Sequence, residues 1–192
     1  MNDIVKIYFC FIIAVIFYMM SCCASLATTA DEDIKLQSEL QSICNSYKNP
    51  CIINLTSSND IQGYTTYKGE IVLTKGLRRV LTYNEVKAVG LHEIGHHVLQ
   101  HYKKQYKFIA THPIPSEKEI REFRHTNELQ ADAYATIYYS LQNEHNYLPE
   151  ALNKLTANDE LHKETMTHPS TYKRIQIIKE YQSNYERLRT SL

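Results

Sequence analysis

His92-Glu93-Ile94-Gly95-His96 puts two imidazoles and a carboxylate where hydrolytic metal chemistry needs them. On a helix, His92 and His96 stand one turn apart on one face, so both rings can reach one tetrahedral ion. Glu93 leaves the helix on a neighbouring azimuth and can contact a water held by that ion. A catalytic zinc takes three protein ligands and keeps a fourth position for water, so a third ligand must come from elsewhere. Glu128 and Asp132 offer it. They are one turn apart on a stretch bearing Leu129, Ala131, Ala133 and Ala135, where two carboxylates are costly to bury unless something positive receives them. The division of labour gives Glu128 to the metal and Asp132 to the free ring N–H of a liganding histidine. The alternative is the solvated face of a charged helix. A zinc so placed brings the pKa of water to about 7 and polarises a peptide carbonyl, while Glu93 takes the proton and hands it to the leaving amine.

These side chains need elements to carry them. Thr82 and Glu85 have capping-box spacing, and Val86, Val89, Leu91, Ile94, Val98 and Leu99 recur at helical intervals, which predicts an amphipathic helix from Tyr83 to Lys103. Ser116 and Glu119 cap a second predicted helix reaching Leu141. Upstream, Tyr64 to Tyr67 and Glu70 to Thr74 read as strands joined at Lys68-Gly69. The edge of such a hairpin can take up an extended polypeptide by strand addition, or it can simply cover the helix. A first helix from Asp33 to Tyr47, a strand from Ile52 to Leu55, a loop from Phe108 to Pro115, and helices over Pro149–Thr156 and Pro169–Arg187 complete the expected elements. The expected fold is α+β, predominantly helical, in one domain. His97 is rotated by about 100° from His96 and reads as a partly exposed neighbour. His101 reads as a helix-terminal histidine favoured by the dipole.

The motif followed by His101, with Glu128-x-x-x-Asp132 in a later helix, resembles the HtpX-like and BepA-like zinc metalloendopeptidases, minimal gluzincins related to the CAAX prenyl protease. Gly69 to Leu77, then Leu81, Glu85, Ala88 and Val89, is similar to the strand, threonine, glycine-leucine and helix order that leads into that family's zinc motif. Thr167-His168-Pro169-Ser170 with Arg174 resembles its closing His-Pro element. The resemblance spans roughly Ile52 to Ile178 and implies a zincin-type domain. It implies one Zn2+ per chain on His92, His96 and Glu128, with Glu93 as general base and Asp132 behind the ligands. His168 and Arg174 would stand near the tetrahedral intermediate. A His-Pro pair is also an ordinary helix beginning, with Pro169 at the first helical position. Gln62-Gly63-Tyr64 departs from the Asn-Ala-Phe-like triplet that relatives often carry in the edge strand.

Ile7 to Met20 is an unbroken apolar run of signal-peptide length after Lys6. Residues 1–27 are therefore expected to be a signal peptide or a lipoprotein-type membrane anchor, and residues 31–192 the zinc metallopeptidase domain. Met20-Ser21-Cys22-Cys23 resembles a degenerate lipoprotein site, whereas Ser25-Leu26-Ala27 suits ordinary cleavage. Export to a periplasmic or other extracytoplasmic compartment with membrane association is the expectation. Cys44 and Cys51 fall in the folded part as either a short disulfide or two buried thiols. With 21 basic and 21 acidic residues, nothing recommends nucleic acid as a partner. The expected activity is hydrolysis of extended or misfolded polypeptides. Two alternatives stay open: a membrane-tethered, chaperone-like module with structural zinc, and a hydrolase of small esters or amides.

Overall fold

The computed structural model describes residues 30–112, 114–157 and 163–191. The predicted signal or anchor segment, 1–27, lies outside the described residues. Contacts divide the chain into two units, Met1–Ser38 and Glu39–Leu192, and the second carries the whole sheet and the motif-bearing helices. Among the described residues no helix is long and apolar enough to cross a membrane. The architecture is α+β and mostly helical, as the periodicities predict.

Residues 30–45 are helical and form α1. Cys44 near its end is disulfide-bonded to Cys51, their Cα atoms 5.1 Å apart, which decides between the two cysteine readings. Gln41 reinforces this join by donating to the Cys51 carbonyl at 2.8 Å and accepting from Ile53 N–H at 3.0 Å. The sheet comprises β1 (Ile52–Thr56), β2 (Gly63–Thr65) and β3 (Glu70–Thr74) in the order β1-β3-β2. β3 pairs parallel to β1 and antiparallel to β2. Its continuous apolar run suits the central place, and Ile71 through Thr74 are buried, whereas β1 alternates, with Ile52 outward and Ile53 inward. The β2–β3 turn closes at Gly69, whose φ of +83° is left-handed backbone that glycine adopts without strain.

α2 (Lys75–Val80), capped by the Thr74 hydroxyl, follows directly on β3. Sequence reasoning assigned no separate helix there, because six residues are too few for a periodicity to show. α3 (Tyr83–Val98) opens with the predicted capping box. It is less amphipathic than expected, for Ala88 through Gly95 are all buried. The sheet flanks it on one side, and α5 (Glu117–Gln142) and α6 (Leu148–Leu155) on others.

The expected single helix to Lys103 is broken. α3 stops at Val98, Gln100 takes left-handed backbone with φ 56°, and α4 (His101–Thr111) restarts in a new direction. Helix α4 thus occupies part of the stretch read as a loop from Phe108, because Phe108 stacks on Phe123 of α5 at 4.6 Å and holds the last turn down. α7 (Thr171–Thr190) lies against α5 and α6. It is capped by Ser170, so Pro169 precedes the cap instead of holding the first helical position.

Candidate metal centre and active site

α3 and α5 cross where Gly95 meets Tyr134, and a Cβ on Gly95 would lie 3.0 Å from the Tyr134 side chain. This close approach brings Glu128 of α5 to the two imidazoles of α3. His92 Nε2 and His96 Nε2 are 3.1 Å apart, and the Glu128 oxygens lie 3.5 Å and 3.4 Å from them. Ligand atoms of all three residues fall within 4.8 Å of one another. Glu128 Oε2 is buried and has no hydrogen-bond partner among the described residues. A desolvated carboxylate oxygen is costly unless a cation receives it, so the donor set fits a divalent ion bound by two imidazoles and one carboxylate.

Behind His92, Asp132 is wholly buried and takes the ring Nδ1 proton at 2.8 Å. Arg174 of α7 holds the same carboxylate with both arms of its fork, Nε to Oδ2 at 2.8 Å and Nη2 to Oδ1 at 2.6 Å. Arg174 Nη2 also lies 3.4 Å from His92 Nδ1, but both groups donate, so Asp132 between them accepts from each. Burial works against the Asp132 charge, yet Arg174 and His92 outweigh it and hold the carboxyl at about 2. For His92 burial likewise opposes the charge, and the Asp132 and Glu128 carboxylates overcome it, raising the metal-free ring to about 10. Glu128 is held well below the usual carboxylate range because the two histidines and Arg174 outweigh its desolvation.

Glu93 faces an open cavity of about 370 Å³ that it shares with His92, His96, Glu128, His168 and the strand residues Gly63 to Thr65. The Thr65 hydroxyl lies 2.8 Å from Glu93 Oε2 and 2.7 Å from the Glu93 carbonyl, and Tyr102 donates to the Thr65 carbonyl. The candidate base is therefore tied to the edge strand β2. His168, more than half exposed, brings Nε2 to 3.6 Å from Glu128 Oε2 at the cavity wall. Arg174 does not line this cavity, contrary to the expectation that it would stand near the tetrahedral intermediate. Its Nη2 lies 3.8 Å from Glu128 Oε2 as well as on Asp132, so five of the seven predicted residues line one cavity while Asp132 and Arg174 adjoin the His92 and Glu128 side chains from outside it. His97 turns away and pairs with the Asn49 carbonyl at 2.9 Å.

Sequence reasoning missed Thr65 and Tyr102, for which spacing carries no signal, and misplaced His101. That ring is not at a helix C-terminus. It opens α4, is buried, and lies with Nδ1 2.9 Å from His96 Nδ1 and Nε2 3.1 Å from Gln130 Oε1. Burial, aided by His96, lowers its pKa to about 4, so no charge is there for a helix dipole to favour.

The sequence profile described as Peptidase family M48 matches residues 32–116 and 117–182, most of the chain. The chain belongs to peptidase family M48. This agrees with the HtpX-like and BepA-like resemblance, and membership supports a metallopeptidase whose substrates are polypeptides. Among curated proteins no match to the chain is found. The matched span contains all three residues of the His92, His96 and Glu128 group.

Proposed function

We propose that this M48 chain is a zinc metalloendopeptidase in which His92, His96 and Glu128 hold the ion, Glu93 is the general base, and Asp132 orients His92. The carrying observation is the buried Glu128 carboxylate, whose Oε2 makes no hydrogen bond among the described residues and lies 3.5 Å from His92 Nε2 while Oε1 lies 3.4 Å from His96 Nε2. Zinc bound there supplies Lewis acidity toward water and a peptide carbonyl.

The chain's own residues do the remainder. Thr65 holds the Glu93 carboxylate at the cavity wall, from where it can receive the proton of the attacking water and return it to the leaving amine. His168 reaches the cavity from the opposite loop and is placed to donate to the oxyanion that develops. Arg174 is not assigned that task, because it does not line the cavity. Its place is to keep Asp132 ionised behind His92. β2 is an edge strand whose Gly63, Tyr64 and Thr65 line the cavity, which favours extended or misfolded polypeptide bound by strand addition over small esters.

Export to the cell envelope is part of the same proposal. The apolar run at Ile7 to Met20 supports it, and the Cys44–Cys51 bridge suits an oxidising compartment. Glu93→Gln tests the chemistry. The purified variant should keep its zinc, measured by elemental analysis, and cleave casein about 10²–10⁴-fold more slowly. Full activity in the variant would reject the mechanism, and casein bound but not cleaved by the wild type would select the chaperone-like alternative.

A further inference from the structure

Each liganding histidine presents one nitrogen to the shared point and must settle the proton on the other. For His92 the Asp132 carboxylate settles it. For His96 the partner is another imidazole, with His96 Nδ1 2.9 Å from His101 Nδ1, and one proton must lie between the two nitrogens. Which ring supplies that proton decides whether His96 Nε2 keeps a lone pair.

The outer end of the chain of hydrogen bonds answers. His101 Nε2 lies 3.1 Å from Gln130 Oε1, and the same oxygen lies 3.3 Å from Lys104 Nζ. An ammonium only donates, so the Gln130 atom facing it is the carbonyl oxygen and not the amide nitrogen. That oxygen only accepts, which puts the His101 proton on Nε2 and leaves Nδ1 bare. His96 must then donate from Nδ1, and its Nε2 lone pair is free.

We infer that Lys104, Gln130 and His101 form a directed hydrogen-bond relay that sets His96 in its Nδ1–H tautomer, making His101 a positioning residue for metal capture. The relay has something to prevent. His96 Nε2 is 3.1 Å from His92 Nε2, so the opposite tautomer would put a proton on the nitrogen that faces the shared point and take away the lone pair the ion needs. Two unlike devices thus serve the two ligands: a carboxylate anchored by Arg174 for His92, and an uncharged imidazole anchored by an amide for His96.

This inference rests on the metal reading, but the two fail separately. In the metal-free, 15N-histidine-labelled full chain, two-bond 1H–15N spectra in buffer alkaline enough to leave His92 neutral should show His96 protonated on Nδ1 and bare on Nε2. Competition with a chromophoric chelator should show His101→Leu binding zinc about 10–100-fold more weakly than wild type. His101→Gln should recover most of the loss, since its amide oxygen can accept from His96 while its NH2 donates to Gln130. A wild-type His96 protonated on Nε2, wild-type affinity in His101→Leu, or no recovery in His101→Gln would each overturn the relay. Absence of zinc binding in the wild type would instead overturn the proposed function, and the tautomer spectrum would still decide the relay.

Discussion

Asp132 shows how one residue's burial constrains several others. Its carboxylate is wholly enclosed and accepts from three N–H groups on two side chains, and Arg174, which supplies two of the three, carries most of the compensation. Arg174→Leu should therefore cost about 3–5 kcal/mol of stability in the metal-free protein, measured by urea unfolding. A cost near zero would mean that Asp132 is protonated or solvated when alone. Asp132→Asn should keep the fold and weaken zinc binding by about 10–100-fold, because an amide is a poorer acceptor for the His92 proton. Of the candidate site, His92, Glu93, His96, Glu128 and Asp132 were legible because metal ligation and its support demand fixed helical spacings. Arg174 was legible as a residue of interest but not in its place. Its partner lies 42 positions away in sequence, and nothing local records which carboxylate its fork meets.

At the scale of elements, α3 depends on its first turn and on one glycine. Glu85 accepts from Thr82 N–H at 2.7 Å and from Lys154 of α6 at 2.8 Å. Burial favours its neutral form, but Lys154 and Thr82 outweigh this and lower its pKa below the ordinary 4.5. A lowered folded-state pKa stabilises above the unfolded value and loses that contribution as pH falls through the folded one. Glu85→Gln should thus cost about 1 kcal/mol at neutral pH, with the gap from wild type closing as the solution is acidified below 4.5. Gly95 sets the α3–α5 spacing, and Gly95→Val should cost about 1–3 kcal/mol by overpacking on Tyr134 and weaken zinc binding as Glu128 is pushed away. Unchanged zinc affinity would separate the helix spacing from the site. The helices that could be read had caps and long apolar periods, as Thr82-Glu85 and Ser116-Glu119 show. The break at Gln100 had neither glycine nor proline to mark it, so α4 and the burial of His101 stayed hidden. The order β1-β3-β2 is a tertiary choice that strand propensity does not record.

For the whole molecule, the Cys44–Cys51 bridge closes a short loop between α1 and the sheet. Its separation of 7 residues predicts a contribution of about 2 kcal/mol from the restricted unfolded chain. Thermal unfolding with and without reductant checks this, and equal midpoints would refute it. The balanced charge of 21 against 21 gives the chain no net field with which to steer a charged substrate from long range. The Arg174 fork has one more consequence. The proposed metal centre draws on α3, α5 and α7 together, for the buried carboxylate beside His92 is compensated by a side chain from the last described helix. A nascent chain lacks that arginine until α7 is made. On the proposed protease reading, cleavage therefore waits until α7 has docked, and an immature molecule is poorly equipped to digest its neighbours or itself.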